Sequence, residues 1–566
     1  MSIGKVIPYR EARRLAKTSR GPRGWREVAS SFSGEVWPDF EPSFHIRPGQ
    51  VVFTMGSCFA RNIETHLAML GCRVPMMDFD LPPSEWSGGV HGAMNRFHPP
   101  AFRQTLEWTA AIYDRDGVVA WPDCEALAFA CADGGYFDLD MGATAPVSRN
   151  RFLERRQHVY DVFSQVFSAS CLMMTPGLIE AWRDKTTGLY MHNAPKQRDL
   201  LSQQDRWELV VLSYETCHRD LLAAIDVVRA RNPDVPVLLT TSPVPLTSTF
   251  TGEDVRIANT HSKAVLRAVC GSLPLERGLV DYFPSFESVT LSFPRGVWKD
   301  DRLHVTHAFI AKIVTRMLDR YLDGVDEADL LAQRARMYLL SGQLAQGEEK
   351  AREAVRLDPD HLQARAMLAD ALIRQGRWSD AKAELQPLVE AYPERPEFWL
   401  ALARATAGDP NPGLKIVDYV ERAMALAGVS LLDLRTVAPL VRREAEVSTA
   451  QRIGSRIVDL FPLHVESYEL LVAALVDQGC HEEAIRRLAA AVQLRRAPAS
   501  MFVQLAKLLA KTGRREQAIV HLQTALQLDP DHAKAKSLLQ AYAVESGSPK
   551  TDEAALEIER QQYLAS

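Results

Sequence analysis

Residues 51–60 read Val-Val-Phe-Thr-Met-Gly-Ser-Cys-Phe-Ala, and this stretch decides the fold of the first half of the chain. Residues 51–55 form a short buried-strand pattern, because a strand covered on both faces reads as a near-continuous apolar run. After Gly56, the apolar residues Phe59, Ile63, Leu67 and Leu70 recur at helical spacing. A strand that ends in Gly56-Ser57 and opens into a helix puts the Ser57 hydroxyl at the carboxyl edge of a sheet, where open α/β folds bind ligands. The helix N-terminus also turns free backbone N–H groups toward that hydroxyl. A serine nucleophile needs both exposure and donors for a developing oxyanion. The same position equally suits a plain helix N-cap, and local spacing does not separate the two roles.

Working outward, residues 171–175 (CLMMT), 235–241 (VPVLLTT) and 278–283 read as further strands. Residues 207–230 read as one helix, and 307–322 as an amphipathic helix that closes this half. Strands alternating with helices predict an α/β fold, a parallel sheet flanked by helices. The stretch 81–142, rich in Gly, Pro and Trp, reads as loops with a hairpin inserted into that scheme.

From about Val325 the strand pattern stops and a repeat begins. Gly342 and Gly376 are 34 residues apart, as are Gly479 and Gly513, and as are Pro359 and Pro393. Pro530 lies 68 residues after Pro462, with Arg496 at the midpoint. Small residues fall in register: Gly347, Ala381, Ala484 and Ala518 in one column; Ala354, Ala491 and Ala525 in another, with Leu388 in the remaining copy. Leu-Asp-Pro-Asp-His occurs twice, ending at His361 and His532. A 34-residue period with small residues at helix crossings and Pro after the second helix resembles tetratricopeptide repeats, an all-α solenoid. The copies around residues 405–443 are degenerate.

At 566 residues the chain has room for two to four domains. The pattern divides it into a basic N-terminal extension (1–50), an α/β domain (51–324), helical repeats (325–546) and a C-terminal tail (547–566). A net charge of −5 is no nucleic-acid footprint. The eight cysteines show no CxxC spacing, so neither a zinc ribbon nor a disulfide framework is expected. Seven Lys/Arg in residues 1–24 precede no apolar segment, and no run of 18 apolar residues occurs, so the expectation is a cytoplasmic protein with no transmembrane segment. The basic segment Lys5 to Arg23 reads first as a solvated tail and second as a contact for an acidic partner or membrane surface.

Gly56-Ser57-Cys58-Phe59-Ala60 is the motif that names the GSCFA family, within the SGNH (GDSL-like) hydrolase superfamily, and the chain resembles that family over residues 51–322. Asn95-Arg96-Phe97, residues 175–182 (TPGLIEAW), His192-Asn193, Ser242-Pro243-Val244-Pro245 and residues 282–287 (YFPSFE) match it in order. The resemblance implies Ser57 as nucleophile, with Asp and His together near the end of the domain as Asp-x-x-His. Asp301-Arg302-Leu303-His304 has that spacing, so one loop can present both groups. His304 would take the Ser57 proton and return it to the leaving group, while Asp301 orients the imidazole. Asp300 and His307 are adjacent competitors that lack the spacing.

The superfamily draws its oxyanion donors from the nucleophile's own N–H, a Gly, and an Asn in a Gly-x-Asn block. Here that block is Gly177-Leu178-Ile179-Glu180, so Ile179 stands where the Asn is expected. The candidate donors are therefore Ser57, Gly92, Gly177 and Asn95, the last ahead of His192 and Asn193. Cys58 at the helix start is a second candidate nucleophile, although a small buried residue is the simpler reading. Trp86, Trp108, Trp182 and Trp298 are candidate sugar platforms or ordinary packing residues.

The resemblance implies a serine esterase or O-acyltransferase acting on an acylated carbohydrate or polysaccharide through an acyl-Ser57 intermediate, without cofactor or metal. The alternative is a catalytically weak pseudoenzyme acting as a scaffold through its repeats, whose groove would hold a protein or peptide partner. No nucleic acid is expected.

Overall fold

The computed structural model describes residues 6–18, 28, 32–82, 84–86, 92–142, 144–195, 198–408, 412–494 and 497–546. Most of the basic flank of residues 1–31 and the tail 547–566 therefore lie outside the described residues, as does Arg496; Tyr9–Thr18 is helical.

The chain forms two compact units. The first comprises residues 1–80, 88–195 and 202–364; the second comprises 365–566, with which the short stretches 81–87 and 196–201 also group. The core of the first unit is a four-stranded parallel sheet in the order β1-β4-β8-β9, formed by β1 (Val52–Gly56), β4 (Cys171–Thr175), β8 (Val237–Leu239) and β9 (Val280–Tyr282). β1 and β4 are buried at every position, the burial that a continuous apolar run predicts. A parallel bridge from Val51 to Arg73 pairs chain on the other side of β1. The connections therefore leave β1 toward one flank and return on the other, which makes its carboxyl end a topological switch point.

Helices α1 (Cys58–Met69), α2 (Pro99–Tyr113), α3 (Arg149–Phe163), α4 (Tyr214–Arg229), α5 (Val255–Glu276) and α6 (His307–Tyr321) accompany the sheets. α1 packs Phe59, Ile63 and Leu67 into one apolar cluster with Val52, Cys171, Leu238 and the α6 residues Phe309, Ile313 and Met317. Val36, Phe44 and Ile46 of the N-terminal extension are also buried, and Ile46 bridges to Leu322, so this part of the extension is fixed to the domain.

Two sequence expectations change. Residues 207–230 are not one helix: Trp207–Val211 is strand β7, and α4 begins only after the Ser213 cap. β7 joins β5 (Glu180–Asp184) and β6 (Tyr190–Met191) in an antiparallel sheet of order β6-β5-β7. Residues 81–142 do contain the expected hairpin, β2 (Ala128–Ala130) with β3 (Tyr136–Asp138), but also the 15-residue α2. The first compact unit extends to Ala364. It includes the first helical hairpin, because Val325 and Leu330 pack on the α1–α6 cluster and Arg336 donates to Met69 Sδ.

The repeat region is helical throughout its described residues, in pairs such as Glu327–Leu340 with Leu344–Leu357, and Ala499–Lys511 with Arg515–Leu528. The small-residue columns are fully buried. The 34-residue glycines act differently from the expectation of close helix approach. Gly342, Gly376, Gly479 and Gly513 follow helix ends at φ of 73° to 84°, with little or nothing near the point where a side chain would begin, so their role is the left-handed turn. Close approach falls instead at Gly347, where a Cβ would meet Leu339 Cδ2 at 2.6 Å.

Candidate active site

Ser57 stands at the carboxyl end of β1 as the N-cap of α1 and is 3% exposed. Gly56 before it is required by space: a Cβ there would lie 2.7 Å from Thr175 Cβ and 2.8 Å from Thr175 O on β4. Ser57 Oγ donates to Ser242 Oγ at 3.0 Å and accepts from Phe59 N–H at 3.4 Å. The Cys58 side chain lies outside what the structure describes.

Asp301 and His304 sit on one exposed loop. His304 Nδ1 is 2.7 Å from Asp301 Oδ2, while Asp301 Oδ1 accepts from the N–H groups of Leu303 (2.9 Å) and His304 (3.0 Å). The His304 N–H, the imidazole and the Leu303 N–H hold the Asp301 carboxyl well below the usual range. A backbone bond from Lys299 N–H to His304 O and a bridge between Trp298 and Val305 close the loop. Val297 and Val305 anchor it in the apolar cluster that holds Val52 and Phe59. The loop is thus tied to the elements that carry Ser57, although Ser57 in this structure bonds to Ser242 and not to His304. Asp300 is exposed and takes no part in this pairing, and His307 is the first residue of α6.

The four oxyanion candidates divide by their backbone commitments. Ser57 N–H donates to Thr175 O at 3.2 Å and Gly177 N–H to Phe97 O at 2.7 Å, so neither is free in this state. Gly177 nevertheless lies against the nucleophile, its Cβ position 3.4 Å from Ser57 Cβ. The rest of its loop is also held, with Lys263 Nζ donating to Gly177 O (2.5 Å) and Ile179 N–H donating to Ser262 Oγ (3.1 Å). Ile179 itself is 1% exposed. Gly92 and Asn95 lie on a turn brought to Ser57 by a bond from Arg96 N–H to Gly56 O, 2.9 Å. Neither the Gly92 N–H nor the Asn95 amide has a partner among the described residues, and Asn95 Oδ1 is buried.

Behind that turn lies a buried charge network that spacing gave no hint of. Asp140 accepts from Arg96 (3.1 Å), Arg156 (2.9 Å) and His192 Nε2 (3.2 Å), all nearly solvent-free. Burial alone pushes the Asp140 carboxyl up, but the two guanidinium groups and His192 outweigh it and hold it well below its ordinary value. Burial drives His192 down to about 3 and His98 down to about 4, so both rings are neutral near pH 7. His192 is therefore part of this network, and Asn193 is exposed. Asp140, Arg156, Gln104, Trp108 and Tyr190 border a cavity of about 350 Å³. Of the other tryptophans, Trp182 packs edge-on against Phe250, Trp298 packs on the α1–α6 cluster, and Trp86 is half-buried. Among the described residues no group of His, Cys, Asp and Glu is placed to hold a metal, and no helix is long and apolar enough to cross a membrane.

Ser242, Lys263 and Asp140 are the residues sequence reasoning missed. Ser242 opens the Ser-Pro-Val-Pro motif, which was its one visible signal.

No curated protein matches the chain. Solved structures similar to it include TPR proteins. The APC/C hetero-tetramer Cut9–Hcn1 matches at 15% identity and TM-score 0.30, over 45% of this chain and 52% of that one. YrrB, a TPR protein with an unusual peptide-binding site, matches at 17% identity and TM-score 0.24, over 40% and 97%. A thermophilic TPR protein in Thermus thermophilus, TTC0263, matches at 13% identity and TM-score 0.21, over 38% and 99%. This chain therefore spans about half the length of the first of these. Among families, residues 338–405 and 475–542 match the tetratricopeptide repeat. Residues 51–317, which hold Ser57, Asn95 and the Asp301–His304 loop, match the GSCFA family, so the chain carries a GSCFA-family domain followed by tetratricopeptide repeats.

Proposed function

We propose that the GSCFA domain is an SGNH-like serine esterase or O-acyltransferase that works through an acyl-Ser57 intermediate. The observation that carries this reading is the Asp301–His304 pair. With Nδ1 held by Asp301 at 2.7 Å, the imidazole keeps Nε2 for proton transfer, the tautomer a Ser-His-Asp triad needs. Ser57 lies at the switch point of the sheet, with Asn95 on the turn that Arg96 N–H ties to Gly56 O.

In the reaction, the Ser57 hydroxyl turns from Ser242 to His304 Nε2, which takes its proton as Oγ attacks the ester carbonyl. The oxyanion is met by the Asn95 amide and the Gly92 N–H. His304 then returns the proton to the leaving alcohol. Water or a sugar hydroxyl resolves the acyl-enzyme in a second, mirrored step. The cavity bordered by Trp108, Tyr190 and Gln104 is lined by none of Ser57, Asp301 and His304, so the acylated-carbohydrate substrate is proposed from the family resemblance alone. The repeats serve a protein or peptide partner, the use their stacked helix pairs suit.

The test is fluorophosphonate labelling of the full chain, with the labelled residue mapped by mass spectrometry, beside turnover of a p-nitrophenyl acetate panel. Label on Ser57 supports the reading; label on Cys58 transfers the role to the thiol. A second reading, a scaffold with a silent hydrolase fold, is favoured by the Ser57–Ser242 bond and the apolar Ile179. A chain that neither labels nor turns over any ester selects it.

A further inference from the structure

We infer that Arg96 is a positioning residue for the oxyanion site, holding the Asn95 turn against the nucleophile; the inference rests on the esterase reading. Arg96 is 0% exposed, and its backbone N–H and all three guanidinium nitrogens are committed. Its backbone N–H donates to Gly56 O at 2.9 Å, one residue before Ser57. In its side chain, Nη1 donates to the Asn95 carbonyl (3.2 Å), Nε to Thr105 Oγ1 on α2 (2.8 Å), and Nη2 to Asp140 (3.1 Å). The guanidinium also lies over the Phe163 ring of α3, 5.2 Å from its centroid.

One residue thus joins the strand that delivers the nucleophile, the carbonyl of the candidate donor, and two helices. Asp140 is fixed in turn by Arg156, His192 and Gln104. A buried arginine costs free energy unless every part of it is paired. Here the pairing ends on the backbone of Asn95, whose side-chain oxygen is buried without a partner on the turn that Arg96 ties to Gly56. An oxyanion would be met by the Nδ2 of that side chain, and a shell that fixes the turn would also fix the direction of this donor.

The experiment measures the rate of fluorophosphonate labelling of Ser57 in the full chain, with melting temperature in parallel, for Asn95→Ala, Arg96→Lys, Thr105→Val and the Asn95→Ala/Arg96→Lys and Asn95→Ala/Thr105→Val double variants. Asn95→Ala is expected to slow labelling by roughly 10²–10³. Arg96→Lys is expected to slow it by about 10², the effect of misplacing a group by about 1 Å. Each double variant should be no slower than Asn95→Ala alone, because Arg96 acts through Asn95. Thr105→Val removes only the Nε acceptor and keeps the test open should Arg96→Lys not fold; it should slow labelling without slowing the Asn95→Ala background. Labelling of Asn95→Ala at the parent rate, or losses that multiply in a double variant, overturns the inference while the esterase reading stands. A parent chain that does not label at Ser57 overturns both.

Discussion

Ser57 Oγ and Ser242 Oγ, 185 positions apart in the chain, lie 3.0 Å from each other in a buried hydrogen bond. Ser57 is therefore the nucleophile candidate, the α1 cap and a partner of Ser242 at once. Ser57→Ala should abolish labelling and turnover and also lower stability by about 1–2 kcal/mol, the sum of a lost cap and a stranded hydroxyl. Calorimetry beside the labelling assay checks both halves. An unchanged melting temperature would show that the two bonds carry no net stability.

His304 and Asp301 occupy an exposed loop, so His304→Ala should leave stability within about 0.5 kcal/mol of the parent while lowering turnover by roughly 10³–10⁶. Asp301→Asn should lower turnover less. It should still loosen the loop, since Asp301 Oδ1 accepts two backbone N–H groups that a neutral amide holds more weakly. Asp300→Asn should be silent in both assays. Equal losses for Asp300→Asn and Asp301→Asn would dissolve the triad assignment.

Gly56→Ala tests the contact between β1 and β4. The new methyl would sit under 3 Å from two Thr175 atoms, one of them backbone, so relief requires the strands to separate. The expected cost is about 1–3 kcal/mol, with slowed labelling because Ser57 moves with the strand. A variant of parental stability and labelling rate would mean the strand end yields freely.

What the sequence made legible follows from how each element is buried. β1 and β4 were readable because both faces are covered, which leaves an unbroken apolar run. Glu180–Asp184 (EAWRD) and Trp207–Val211 (WELVV) were not. Their charged residues pair across the small sheet, Arg183 with Glu208, and neither run alternates or is apolar throughout. α2 was hidden by Pro99-Pro100, which look like loop residues but occupy its first turn after the His98 cap. The Asp-x-x-His loop was visible because three-residue spacing is local. The Arg96–Asp140–Arg156 network was not, because it joins residues 44 and 16 positions apart that only the packed fold brings together.

His98 and His192 predict the acid response. Both are buried and neutral, with values near 4 and 3 against about 6.5 in an unfolded chain. As pH falls from about 6.5 toward 4, the unfolded chain takes up protons that the folded chain refuses, so stability is lost, by about 2 kcal/mol per ring at pH 5. Below that window Asp140, held low in the fold, works in the same direction; Asp138 and Glu64, raised by burial, oppose the loss above their ordinary values, within the histidine window. Urea titrations at pH 7 and pH 5 measure the slope. His98→Asn, which can still cap α2, should reduce it, and an unaltered slope would remove His98 from the account.

Ile179→Asn is the change that the superfamily pattern recommends and the structure opposes. On the pattern alone, Asn there restores the missing oxyanion donor. In the fold, Ile179 is 1% exposed, its N–H is given to Ser262 Oγ and its carbonyl accepts from Leu212 N–H, so backbone rotation toward Ser57 would break two bonds. The neighbouring Gly177 carbonyl is held by Lys263, which fixes the loop further. An amide at this position is buried without partners, at an expected cost of about 1–3 kcal/mol on top of the lost apolar contacts. The variant should melt earlier than the parent and label Ser57 no faster. Faster labelling at parental stability would show that residue 179 does face the nucleophile, and would return the donor role from Asn95 to the Gly-x-Asn block.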